Sequence, residues 1–169
     1  MDPSDLIQLA YTVVFGPPKA IFFRQILAVL LQLCPCHPNA QSCMPMRLSA
    51  AAVITMVAYE EEDPLEAAGL LLGIGNHETG FNTELQEHGP AITFWQLEVP
   101  KEEREYYLTY RTEAAKRALR IAHMCHGNLV NYASGKCTAP KGKKGARIRK
   151  VAASLHGYVA KATSLLRRW

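Results

Sequence analysis

Apolar residues recur at helical spacing along most of the chain. Ile26, Val29, Leu30 and Leu33 fall on one side of a stretch that predicts a helix over 19–33, and Gly16-Pro17-Pro18 separates it from an earlier helix that Ser4 can cap and that runs to about Val14. Ser49 can cap a third helix reaching about Glu61. A fourth has a readable start, with Asp63 as N-cap, Pro64 in the first helical position and Glu66 placed to complete a capping box. Its apolar stripe, Leu70, Leu71 and Ile74, continues to Glu78, and Gly80 ends it. Beyond Pro100, the pattern predicts a short charged helix over 101–107 and a longer one from Thr112 to His126, stopped by Gly127. A last helix over 145–168 has Ile148, Val151, Leu155, Tyr158, Val159 and Leu166 on its apolar side. A strand-like pattern is confined to 90–97.

Glu78 stands out because its carboxyl prolongs an apolar stripe in the last turn of a helix. Poor solvation there disfavours the charged form and raises the pKa, which is how a glutamic acid stays protonated as a general acid near neutral pH. The Gly-Phe-Asn segment that follows has to leave the helix and can form the floor of a cleft.

Three short segments carry a resemblance. His77-Glu78-Thr79-Gly80-Phe81-Asn82 is similar to the Glu-Ser-Gly-Phe-Asn element of the soluble lytic transglycosylases, relatives of goose-type lysozyme. Gly89-Pro90-Ala91-Ile92-Thr93-Phe94-Trp95-Gln96-Leu97 resembles that family's Gly-Ala-x-Gly-Leu-Met-Gln segment, and Asn131-Tyr132-Ala133-Ser134-Gly135 resembles its Ala-Tyr-Asn-Ala-Gly element. The three occur in the family's order between Ser49 and Gly135. Thr79 replaces the usual serine and keeps a hydroxyl, Phe94 and Trp95 replace smaller residues, and Ala133 replaces an asparagine.

The resemblance implies a mainly α, lysozyme-like helical domain with a small β element beside the active-site cleft. It would form a single catalytic domain over 1–169, with 1–48 as a helical extension packed on it. It implies a peptidoglycan-cleaving muramidase that cuts the MurNAc-GlcNAc β-1,4 bond as a lytic transglycosylase. Glu78 would act first as acid and then as base while the muramic acid C6 hydroxyl attacks, leaving a 1,6-anhydro end. Gln96 would line the cleft and hydrogen-bond the sugar, and Tyr132 would hold the Glu78 carboxyl. Thr79 supports the acid, and Trp95 and Phe94 either face pyranose rings or belong to the core. His77 adjoins the acid, but a helical step of about 100° turns it off that face, and it receives no role.

An ordinary glycosidase needs a second carboxylate. Glu84, Glu87 and Glu98 flank the expected cleft and either activate a water, giving a hydrolytic lysozyme, or are solvated loop charges. A rival from another class is a non-catalytic virion structural or assembly protein that retains the fold.

Composition fits a compact enzyme. The 169 residues are 49% hydrophobic and 20% charged, which excludes a disordered chain and leaves room for a substantial core. The formal net charge of +4 is too small for a dedicated nucleic-acid binder. Lys136, Lys141, Lys143, Lys144, Arg147, Arg149 and Lys150 form a basic run without acidic residues that reads as a solvated loop weakly attracted to an anionic cell wall. The partners implied are peptidoglycan glycan strands and other virion proteins, with no specific nucleic acid and no membrane span.

Of the five cysteines, Cys34, Cys36 and Cys43 share a proline-rich segment with His37. Neighbouring Cys36 and His37 cannot easily share one tetrahedral ion, so no metal and no cofactor is expected there. Cys125 and Cys137 bracket the Tyr132 segment and can pair, although thiols are the expectation in a reducing cytoplasm. The opening Met1-Asp2-Pro3-Ser4-Asp5 lacks the basic start of a secretory signal. Since peptidoglycan lies outside the cytoplasmic membrane, the resemblance together with that start implies a phage enzyme made in the cytoplasm and either carried in the virion or released at host lysis; a bacterial enzyme exported by a specialised machine would look the same.

Overall fold

The computed structural model describes residues 13, 16–37, 40–86 and 89–169. Over these the chain is mainly helical: α1 (Pro17–Leu33), α2 (Cys43–Ala58), α3 (Pro64–Glu78), a 3₁₀ turn (Lys101–Glu103), α4 (Arg104–Thr109), α5 (Arg111–His123), α6 (Val130–Ser134) and α7 (Gly142–Leu166). The helix expected after Ser4 lies outside the described residues.

Helix α3 is central. Asp63 caps it as its sequence predicts, its carboxylate accepting from the Glu66 amide at 2.9 Å. Ala67 through Gly75 are all buried, because α1, α2, α5 and α7 pack around the helix. Leu71, Leu72 and Ile74 are fully enclosed, each burial stabilising the fold by roughly 1.5–3 kcal/mol. The most extensive pairing is α3 with α7. It depends on Gly69 and Gly73, where a Cβ would overlap Thr163 and the Val159 backbone, so the two helix backbones approach closely.

Several boundaries differ from the sequence pattern. Helix α2 begins at Cys43 rather than Ser49. A Cys36–Cys43 disulfide fixes its first residue, and Pro45 is harmless in a first turn whose amides have no intrahelical partners. Helix α7 begins at Gly142 rather than Gly145, so Lys143 and Lys144 of the basic run join the helix that already held Arg147, Arg149 and Lys150. The thiol expectation is also overturned: Cys125–Cys137 is a second disulfide, and Cys34 is the free cysteine, buried.

No strand forms among the described residues of 90–97. The expected β element is reduced to isolated antiparallel bridges, Leu85 with Ile92 and Ile92 with Leu97. Thr93 and Gln96 have φ of 68° and 48°, and these left-handed residues fold the segment back on itself before a ladder can extend. No helix among the described residues is long and apolar enough to cross a membrane.

Candidate active site

Glu78 is the last residue of α3 and stands at the rim of a cleft of about 1360 Å³. The cleft exceeds the roughly 300–1,000 Å³ of a site for one small ligand, so it suits an extended chain. Gln96, Tyr132 and Thr79 line it too, so the three sequence segments converge on one concavity. The end of α5, helix α6 and the first half of α7 complete its walls.

The acid is not sealed in apolar surroundings, since 23% of its side chain remains exposed. Its partner also differs from expectation. His77 Nδ1 lies 3.0 Å from Glu78 Oε1, a hydrogen bond when that nitrogen carries the proton. The helical step separates the Cα directions, but the two side chains still meet at the end of the last turn. Tyr158 of α7 meets the His77 ring edge-on, with centroids 5.3 Å apart.

Tyr132 does not hold the carboxyl. Its hydroxyl donates to the Trp95 carbonyl at 2.9 Å. Burial, and secondarily the Glu78 charge, push its pKa well above the usual tyrosine value. Thr79 Oγ1 donates to the neighbouring Phe94 carbonyl at 3.0 Å and accepts from the Phe81 amide at 3.1 Å. Side chains from the C-cap of α3 and from α6 thus grip consecutive carbonyls of the turn that carries Gln96. The Gln96 side-chain amide, on the cleft lining, donates to the Thr93 carbonyl at 3.0 Å, a bond that does not use its oxygen.

Phe94 and Trp95 are core residues, not platforms. Both rings are sealed from solvent, and the indole N–H donates to the Leu71 carbonyl at 3.0 Å. Among the flanking carboxylates, Glu84 is bound by Arg111 through two bonds of 2.6 and 2.7 Å, Glu87 lies outside the described residues, and Glu98 is exposed on the cleft lining.

The sequence reading missed Arg47. This buried residue of α2 sends its guanidinium beneath the turn after Glu78, donating to the Phe81 carbonyl, to Asn82 Oδ1 at 2.9 Å and to the Cys34 carbonyl at 3.0 Å. Desolvation lowers its pKa from the ordinary arginine value, yet three acceptors keep the cation satisfied. The signal was present as a lone arginine in the apolar run of α2. Lys144 and Arg147 were also missed as cleft residues, because only their helical register with Ile148 and Val151 brings them to the wall.

No protein-family model matches this chain, and neither a curated protein nor a solved structure matches it. Among the described residues no cluster of His, Cys, Asp and Glu is arranged to hold a metal ion.

Proposed function

We propose that the chain is a peptidoglycan-cleaving muramidase of the lytic transglycosylase type, with a lysozyme-like helical fold and Glu78 as its acid and base. The observation that carries this reading is the convergence of Glu78, Thr79, Gln96 and Tyr132, drawn from three separated segments, on a cleft large enough for a glycan strand. In the first step Glu78 donates its proton to the leaving glycosidic oxygen as the C1–O bond breaks. The carboxylate then accepts the proton of the muramic acid C6 hydroxyl as O6 bonds to C1. The acid is restored, and the ring product carries a 1,6-anhydro bridge. Gln96 offers its amide oxygen to a sugar hydroxyl, and His77 braces the carboxylate between the two proton transfers.

A hydrolytic outcome has one observation in its favour: Glu98 shares the cleft and is not ion-paired among the described residues. A base at that position would direct water at C1 and yield reducing ends. Mass spectrometry of digested peptidoglycan separates the two, since anhydro ends are lighter by one water. A folded sample that releases no fragments from several wall chemotypes would refute both and favour a virion structural role.

A further inference from the structure

Lys144 and Arg147 lie one helical turn apart on α7, on the same face as Ile148 and Val151, and all four line the cleft that holds Glu78. The face is composite. Ile148 is buried and Val151 half-buried, while the two cations above them are exposed. Neither cation has an acidic partner among the described residues, although Glu98 lines the same cleft and Glu78 stands at its rim, bonded to His77. The preceding loop packs closely on this end of α7: a Cβ on Gly145 would strike the Pro140 carbonyl, so the loop lies directly against the first turn of the helix. An apolar strip topped by two unpaired cations suits a chain with a hydrophobic ring face and anionic branches.

We infer that Lys144 and Arg147 form an anion subsite that binds a carboxylate carried on the branches of the glycan in the cleft. The inference rests on the glycan-cleaving reading and narrows its substrate to a carboxylate-bearing strand. Arginine supplies a planar fork for the two carboxylate oxygens, and lysine supplies a point charge beside it. Wall phosphodiesters present a similar anion, so the test has to separate the two sources.

Peptidoglycan sacculi are stripped of phosphate polymers with hydrofluoric acid, and a portion is then amidated with carbodiimide and ammonia to neutralise its carboxylates. Binding is measured by co-sedimentation of Glu78→Gln protein, and cutting by release of dye from labelled sacculi. The stripped, unamidated wall should bind roughly 10- to 100-fold more tightly than the amidated one, the range expected of charge-assisted hydrogen bonds. Adding Lys144→Met and Arg147→Gln together should abolish that preference, whereas Lys144→Arg with Arg147→Lys should keep most of it. Both positions are exposed, so a thermal melt should show an intact fold.

Equal binding to amidated and unamidated walls would overturn the subsite, as would a preference that survives removal of both cations. Affinity that disappears on hydrofluoric acid treatment but ignores amidation would assign the cations to phosphate and overturn the carboxylate proposal. Wild-type protein that cuts without any carboxylate preference leaves the muramidase reading standing and the subsite refuted. Glu78→Gln protein that binds with the preference, while wild type cuts nothing, supports the subsite and refutes the acid.

Discussion

Arg47 Nη2 donates to Asn82 Oδ1 over 2.9 Å, tying the buried start of α2 to the turn that follows the proposed acid. The same guanidinium serves the Phe81 and Cys34 carbonyls. Its replacement by methionine fills the volume but leaves the Phe81 and Cys34 carbonyls of two buried residues without their donor, each costing roughly 1–3 kcal/mol when buried, while Asn82, an exposed residue, can turn to water. Arg47→Met should therefore lower unfolding free energy by about 2–5 kcal/mol in a urea titration. Arg47→Lys should fall between, because one ammonium cannot satisfy three acceptors in the guanidinium plane. A wild-type midpoint in Arg47→Met would remove Arg47 from the framework of the site.

Glu78→Gln should keep the melting temperature and slow wall cleavage by roughly 100- to 10,000-fold, the usual cost of losing a positioned general acid. Tyr132→Phe should behave differently. Its hydroxyl meets the Trp95 carbonyl rather than Glu78, so the loss is one hydrogen bond of about 0.5–1.5 kcal/mol in stability, with cleavage largely retained. Dye release and thermal melts on the two variants check both statements; a fully active Glu78→Gln protein would reject the acid assignment.

The Cys34 thiol should be silent in the native protein. Burial raises its pKa, with the Arg47 and Lys161 charges opposing, and its Sγ is hydrogen-bonded to Asn76 Oδ1 at 3.0 Å. Since the thiolate is the nucleophile, iodoacetamide at pH 8 should label no cysteine in the folded chain and one after denaturation without reductant. Labelling of several thiols in unreduced, unfolded protein would contradict the two disulfides.

Reduction should matter as well. The bridges Cys36–Cys43 and Cys125–Cys137 close short loops, so the chain-entropy contribution is about 2–3 kcal/mol each. Cys125→Ser with Cys137→Ser should lower the unfolding midpoint accordingly, and an unchanged midpoint would show that the α6 segment needs no covalent tether.

Gly73→Ala should be among the most damaging small substitutions. The added methyl meets the Val159 backbone, which cannot rotate away as a side chain would, so α3 and α7 must separate. Overpacking of this kind costs typically 1–3 kcal/mol and occasionally more. Differential scanning calorimetry would show it; a gain in stability from alanine's helix propensity would refute the close approach.

Local chemistry made much of this legible. The Asp63-Pro64 start and the Glu78 end of α3 follow from capping and the apolar stripe, and the body of α1 from its periodic Ile26, Val29, Leu30 and Leu33, although Pro17 and Pro18, expected to lie before it, form its first turn. The cleft membership of Glu78, Gln96 and Tyr132 was legible only through motif order. What escaped depends on distant partners. Asn131-Tyr132-Ala133 forms the short helix α6 inside a disulfide loop, and the Tyr132 hydroxyl bonds a carbonyl that no local rule specifies. The left-handed backbone at Thr93 and Gln96 defeated the strand pattern, since neither residue type announces a positive φ. Arg47 was hidden because its acceptors are carbonyls and an amide oxygen, which leave no complementary charge to find.

The paired grip on the Phe94 and Trp95 carbonyls holds two successive peptide planes that meet at the Trp95 Cα. Thr79 pulls one carbonyl toward α3 and Tyr132 pulls the next toward α6. Each peptide is flat, so a change in the gap between those elements would be taken up by rotation at the Trp95 Cα, and the Trp95–Gln96 plane would carry the Gln96 backbone with it. A ligand that wedged the cleft walls apart would therefore turn the backbone that carries Gln96, a residue of the cleft lining.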